Sequence, residues 1–172
     1  MASISTINEV NNPESTAALA LQIAQSQVGQ CEKPIGSNSG PMVNEYLWSV
    51  GLHPGYAWCQ AFVYWCYDEA AKKLNKPNPV VRTAGVHDCW NRSTKITKAA
   101  AVAQPGLINP GDQFILSFGA EGHTGIVEKL DGTTIHTIEG NSNNNGSREG
   151  YEVVRHQRSL DDKILLGFIK YS

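Results

Sequence analysis

The segment His123-Thr124-Gly125-Ile126-Val127-Glu128-Lys129-Leu130-Asp131-Gly132-Thr133-Thr134-Ile135-His136-Thr137-Ile138-Glu139 places two runs rich in β-branched residues on either side of Asp-Gly. Asp-Gly tolerates the positive φ angles that tight hairpin turns require, so the segment reads as an antiparallel hairpin. The first strand opens on a histidine and the second closes on a glutamate, and their register bears on chemistry. With a two-residue Asp131-Gly132 turn, Leu130 faces Thr133, His123 faces Gly140, and Glu139 points to the other side of the sheet. With a three-residue Leu130-Asp131-Gly132 loop, Gly132 supplies the left-handed residue of a bulge and Lys129 faces Thr133. His123 then lies directly across from Glu139, with Cβ atoms about 5 Å apart. The three-residue loop is expected here, because it lets a carboxylate orient the imidazole.

Further strands read over 112–118, 151–155 and 165–170, each with β-branched or aromatic residues bounded by turn signals. The first half reads as helices. Asn12-Pro13-Glu14 resembles a cap followed by proline at the first helical position, opening a helix that stops at Gly29. Shorter helices are expected over 43–50 and 84–92, and a long one over 57–74, where Phe62, Val63, Cys66 and Ala70 recur at spacings of three and four. Helices first and an antiparallel sheet of about five strands afterwards is an α+β arrangement. A tail over 1–11 and a single domain over 12–172 are expected.

Cys59 sits in Tyr56-Ala57-Trp58-Cys59-Gln60-Ala61-Phe62-Val63, just past Pro54-Gly55, so it falls in the first turn of the long helix. A thiol of pKa roughly 8.5 is only a few per cent thiolate at neutral pH and needs a base or a favourable field. A helix start supplies unpaired N–H groups and the positive end of the dipole, which suit both a thiolate and an oxyanion beside it. Of five histidines, His53 and His87 lie in turn-like surroundings, and His156, among Arg155, Gln157 and Arg158, reads as a solvated edge. His123 is the candidate base and Glu139 the group that orients it, with Asn141 two residues on. Trp58 anchors the helix start in the core or walls the site, a backbone N–H near Gln60 is a candidate oxyanion donor, and Asp112 and Glu121 read as solvated turn residues.

The order Trp-Cys-x-Ala-Phe-Val, Pro110-Gly111-Asp112 before a strand, Gly-His-x-Gly-Ile-Val and Glu-Gly-Asn resembles the CHAP family of cysteine, histidine-dependent amidohydrolases and peptidases. That family belongs with NlpC-type cell-wall hydrolases of papain-like fold. The resemblance runs from about Ala18 to Tyr171 and implies hydrolysis of an amide or peptide bond in peptidoglycan. Cys59 would be the nucleophile, His123 the base, Glu139 the orienting acid and Asn141 the polar residue that follows, with Trp58 and Gln60 as neighbours of the substrate. One departure is Thr124-Gly125, where many members carry Val-Ala or Val-Gly.

Composition agrees with one compact enzyme. With 172 residues, 41% hydrophobic and 17% charged, the chain can bury roughly 70% of its unfolded surface without staples. A net charge of −2 with no basic stripe argues against nucleic acid as a partner. Cys31, Cys59, Cys66 and Cys89 contain no Cys-x-x-Cys pair, so neither a metal site nor any other cofactor is expected. Cys66 reads as a core residue. Cys31 and Cys89 could pair in an oxidising compartment, though free thiols are the default. Residues 1 to 11 lack the charged start and apolar run of a signal peptide. Delivery to the wall by a secretion machine or phage lysis, with a cognate immunity or inhibitor protein, is the expectation that follows. No membrane span and a monomer are expected. An intracellular cysteine amidase and a catalytically silent peptidoglycan-binding module are the alternatives.

Overall fold

The computed structural model describes residues 15–143 and 150–171. The expected tail, the residues Asn12-Pro13-Glu14 and most of the polar stretch after Ser142 lie outside the described residues, and the first helix starts after an extended Ser15 rather than at Pro13. Helix α1 (Thr16–Ser26) is capped by Ser15, whose Oγ accepts from the Ala18 N–H at 3.1 Å. It buries Ala17, Ala20, Ile23 and Ala24, one stripe at helical spacing. Helix α2 (Pro41–Ser49) starts on the proline itself and buries Val43, Tyr46 and Leu47. Helix α3 (Cys59–Leu74) is buried around most of its circumference. It ends on Asn75 in the left-handed region, with Lys72 and Lys73 in its last turn, where cations suit the dipole. Helix α4 is Val86–Arg92.

The sheet has six antiparallel strands rather than about five: β1 (Lys95–Thr97), β2 (Gln113–Phe118), β3 (Glu121–Asp131), β4 (Thr134–Ser142), β5 (Glu152–Ser159) and β6 (Leu165–Ile169), in spatial order β1-β6-β2-β3-β4-β5. The additional strand β1 and the helix α5 that follows it (Lys98–Ala103) are too short to show a period in the sequence. One face of the sheet, through Ile115, Ile126, Ile138, Val153 and Ile169, packs in a core with α1 to α4. The other, through Phe114, Leu116, Val127, Ile135, Leu165 and Phe168, packs with Ile96, Ala101, Ile108 and Leu160. The architecture is α+β, as the sequence implies.

The central hairpin departs from both registers considered. Asp131 pairs with Thr134, so Gly132 (φ 61°) and Thr133 form the turn, and Leu130 faces Ile135. A bulge then intervenes: Lys129 faces His136 but Val127 faces Thr137, leaving Glu128 as the extra residue. An unbroken ladder from the turn would set Glu139 against Ile126, on the helix-covered face. The bulge moves the pairing by one residue, so Ile126 faces Ile138 and Glu139 joins the face of His123 and Val127. Glu139 is therefore diagonal to His123 rather than opposite it.

Candidate active site

Cys59 is the first residue of α3 and is 5% exposed. The first backbone bond of the helix runs from the Phe62 N–H to the Trp58 carbonyl, 2.9 Å. The N–H groups of Cys59, Gln60 and Ala61 precede it and have no acceptor within the helix. The start of α3 lies against β4. A Cβ on Gly140 would sit 2.7 Å from Phe62 and 2.8 Å from Trp58, so only glycine allows this approach without displacement.

His123 is fully buried, and its Nε2 lies 2.7 Å from Glu139 Oε2. The diagonal is spanned across Gly125. A Cβ there would fall 2.9 Å from Glu139 Cγ and 2.5 Å from the Ile138 carbonyl oxygen, so the glycine leaves room for the carboxylate to lean over. Nδ1 has no oxygen or nitrogen partner among the described residues. The Cys59 thiol lies near enough to help raise the pKa of the imidazole. Burial pushes the His123 pKa down, but Cys59 and Glu139 outweigh burial and hold it at about 9.

Every oxygen of Glu139 is engaged. Oε2 accepts from His123, from Arg158 Nη2 at 2.6 Å and, more loosely, from Ser142 Oγ at 3.4 Å. Oε1 accepts from Thr137 Oγ at 2.6 Å and from Arg158 Nε at 2.9 Å. Burial pushes this carboxyl up, and His123 and Arg158 outweigh it, holding the group well below the usual carboxylate range.

Cys59 lines a cleft of about 240 Å³ with Ala57, the 84–88 segment and Ala120 to Gly122. A second cleft of about 350 Å³, lined by Glu32, Ile35, Asn38, Asn141 and Tyr151, shares Ala57 with the first. Asn141 is on the wall of this second cleft in the left-handed region, φ 53°. The structure thus brings Cys59, His123 and Glu139 together and sets Asn141 on the wall of the neighbouring cleft.

Trp58 and Gln60 present no surface to a substrate. Both are fully buried. The Trp58 indole stacks on Tyr46 at 5.6 Å and donates to Glu32 Oε1 at 2.9 Å. Gln60 Oε1 accepts from Gln113 Nε2 at 2.7 Å, and that same nitrogen donates to Thr124 Oγ at 2.8 Å. Gln113 therefore ties the neighbour of Cys59 to the neighbour of His123. Asp112 is no solvated turn residue: it is buried and accepts from the Asn109 N–H at 2.8 Å. The four cysteines are free, no group of metal-ligating side chains forms among the described residues, and no described helix is long and apolar enough to cross a membrane.

Arg158 and Thr137 escape the sequence reading, and Gly125 enters it only as part of a motif, without its role beside Glu139. For Arg158 a signal existed: strand alternation from Val154, opposite Glu139, carries His156 and Arg158 onto the Glu139 side, while Arg155 and Gln157 are exposed. The run Arg-His-Gln-Arg hides that alternation behind its polarity.

A helix start carrying a thiol, packed against strands that carry an imidazole and its carboxylate, defines a papain-like arrangement. The CHAP domain family model matches residues 51–141, just over half of the chain, and the chain belongs to this family. The structure is similar to the crystal structure of Ly7917 (TM-score 0.51, 20% identity), covering 91% of this chain and 62% of that one. It is also similar to the crystal structure of PlyC (TM-score 0.51, 17% identity), covering 91% of this chain and 36% of that one. The chain thus spans less than two thirds of either. No curated protein matches the sequence.

Proposed function

We propose that the protein hydrolyses an amide or peptide bond of bacterial peptidoglycan through Cys59. Membership of the CHAP family supports the reaction class. The observation that carries the mechanism is the buried imidazole bonded through Nε2 to the Glu139 carboxylate, with Nδ1 unbonded among the described residues and the Cys59 thiol near enough to raise its pKa.

At neutral pH His123 is an imidazolium, with the proton on Nε2 donated to Glu139 and the one on Nδ1 available to the sulfur. The Cys59 thiolate attacks the carbonyl carbon, and the first-turn N–H groups of α3 hold the oxyanion. Collapse breaks the C–N bond as Nδ1–H protonates the leaving amine. Water then attacks the thioester, giving its proton to Nδ1 and releasing the acid and the thiolate. Glu139 stays ionised throughout and keeps the ring in one orientation, the part a third group plays in such triads.

The test is incubation of the protein, and of its Cys59→Ala variant, with defined peptidoglycans of several wall types, the products being identified by mass spectrometry. Fragments are expected from the wild type alone, and their masses name the bond cut. Cleavage by Cys59→Ala at the wild-type rate would sink the assignment.

A further inference from the structure

Burying a carboxylate beside a single imidazole is a poor bargain unless other donors complete its shell. Glu139 lies inside the sheet, and among the described residues the groups facing it are His123 from β3, Arg158 from β5 and, past the imidazole, Cys59 from α3, with the neutral Thr137 and Ser142 on its own strand. Arg158 alone engages both oxygens, in a fork of 2.9 and 2.6 Å. Its side chain is only 11% exposed, and its guanidinium sits 5.8 Å over the Phe114 ring, which in turn lies 6.2 Å from the His123 ring. The arginine is therefore fixed from two directions, by the carboxylate and by the aromatic face that also borders the base.

We propose that Arg158 is the fourth member of the chain Cys59–His123–Glu139–Arg158, a positioning residue that locks the plane of the Glu139 carboxylate and keeps it ionised, so that one oxygen remains aimed at His123 Nε2. The geometry separates two duties. A charge of any shape in this place would keep Glu139 ionised. Only a planar fork engages both oxygens at once and stops the carboxylate from swinging about its last bond. Lysine could perform the first duty and not the second.

The inference rests on the assignment of Cys59, His123 and Glu139, yet it can be tested without a wall substrate. Alkylation of Cys59 by iodoacetamide, measured against pH, reports how readily the thiolate–imidazolium pair forms, and turnover on peptidoglycan reports catalysis. Arg158→Met keeps the apolar stem and removes the fork and the charge. The expected result is a loss of kcat on the order of 10- to 100-fold, the size seen when a partner behind a metal-binding histidine is removed, with KM little changed. The acid limb of both the alkylation and the turnover profiles should move to higher pH as Glu139 protonates more easily. Arg158→Lys should return the acid limb toward its wild-type position while kcat stays reduced. A folded Arg158→Met protein with wild-type pH profiles in both assays would overturn the proposal, as would full recovery of kcat by lysine. If the methionine variant does not fold, the lysine variant decides: wild-type melting with reduced kcat and slower Cys59 alkylation supports the proposal, and wild-type rates overturn it. Absence of turnover on every wall type would strike the substrate assignment and leave the alkylation result to judge Arg158.

Discussion

His123 is where burial and charge compete most directly. An imidazole this deep would ordinarily lose its proton below neutral pH, but Cys59 and Glu139 raise it from 6.5 to about 9. Two outcomes belong to this residue. Activity should hold through neutral pH and fall on the alkaline side with a midpoint near 9, as the general acid for the leaving amine disappears; a pH series of kcat on soluble wall fragments checks it. Stability should follow the same group. Because the fold binds this proton more tightly than the unfolded chain, the contribution is complete below pH 6.5 and is lost as the pH rises through about 9. Glu139, held down, contributes above the ordinary carboxylate range and loses that contribution only in acid. Denaturant melts at pH 6, 7.5 and 9.5 should therefore show a decline toward the alkaline end, and His123→Ala should flatten it.

Among the elements, the β3–β4 hairpin does the arranging. Its turn alone would place Glu139 on the wrong face, and the bulge at Glu128 corrects the phase. Gly125 then provides the gap over which the carboxylate reaches the imidazole. Gly125→Ala puts a methyl against the Ile138 carbonyl and the Glu139 side chain, where the backbone cannot yield. Overpacking of this kind costs about 1–3 kcal/mol, and it should also lower activity by pushing Glu139 off its line to Nε2. Thermal melting together with kcat reads both effects; full activity in a folded Gly125→Ala protein would show that the gap is not needed. The hairpin was legible in the sequence through Asp-Gly and its flanking β-branched residues. Its register was not, because a bulge leaves no mark in a pattern of period two and the turn moved one residue beyond Asp-Gly.

At the scale of the whole molecule, long hydrogen bonds hold the start of α3 to parts of the chain far away. Glu32 accepts from Trp58 Nε1 and from the Gly36 N–H at 2.8 Å. Gln113 joins Gln60 to Thr124 and accepts from the Tyr171 hydroxyl at 2.8 Å, and Tyr67 on α3 donates to the Gly111 carbonyl at 2.6 Å. The nucleophile is thus set from both halves of the chain. Glu32→Leu strands the buried Trp58 Nε1–H, at a cost of roughly 1–3 kcal/mol, and leaves the exposed Gly36 N–H to water. A loss of about 2 kcal/mol, read as a fall in Tm of roughly 4–8 °C, is expected. A melting curve equal to wild type would show that this anchor carries no stability.

The sequence by itself determined the class of fold, the helix that presents Cys59, and the identity of His123 and Glu139 as its candidate partners. Those features follow from local rules: the period of apolar residues, a turn dipeptide, and residue types whose chemistry is fixed. Only the tertiary structure decided that Glu139 reaches His123 on a diagonal, that Arg158 turns inward from a strand of polar appearance, that Trp58 and Gln60 belong to the core, and that β1 adds an edge strand beside β6. Each of these depends on register or on contacts between residues distant in the chain. One residue of slip turns every side chain of a strand to the opposite face, and what a buried polar group bonds to is set by the neighbours that folding brings to it.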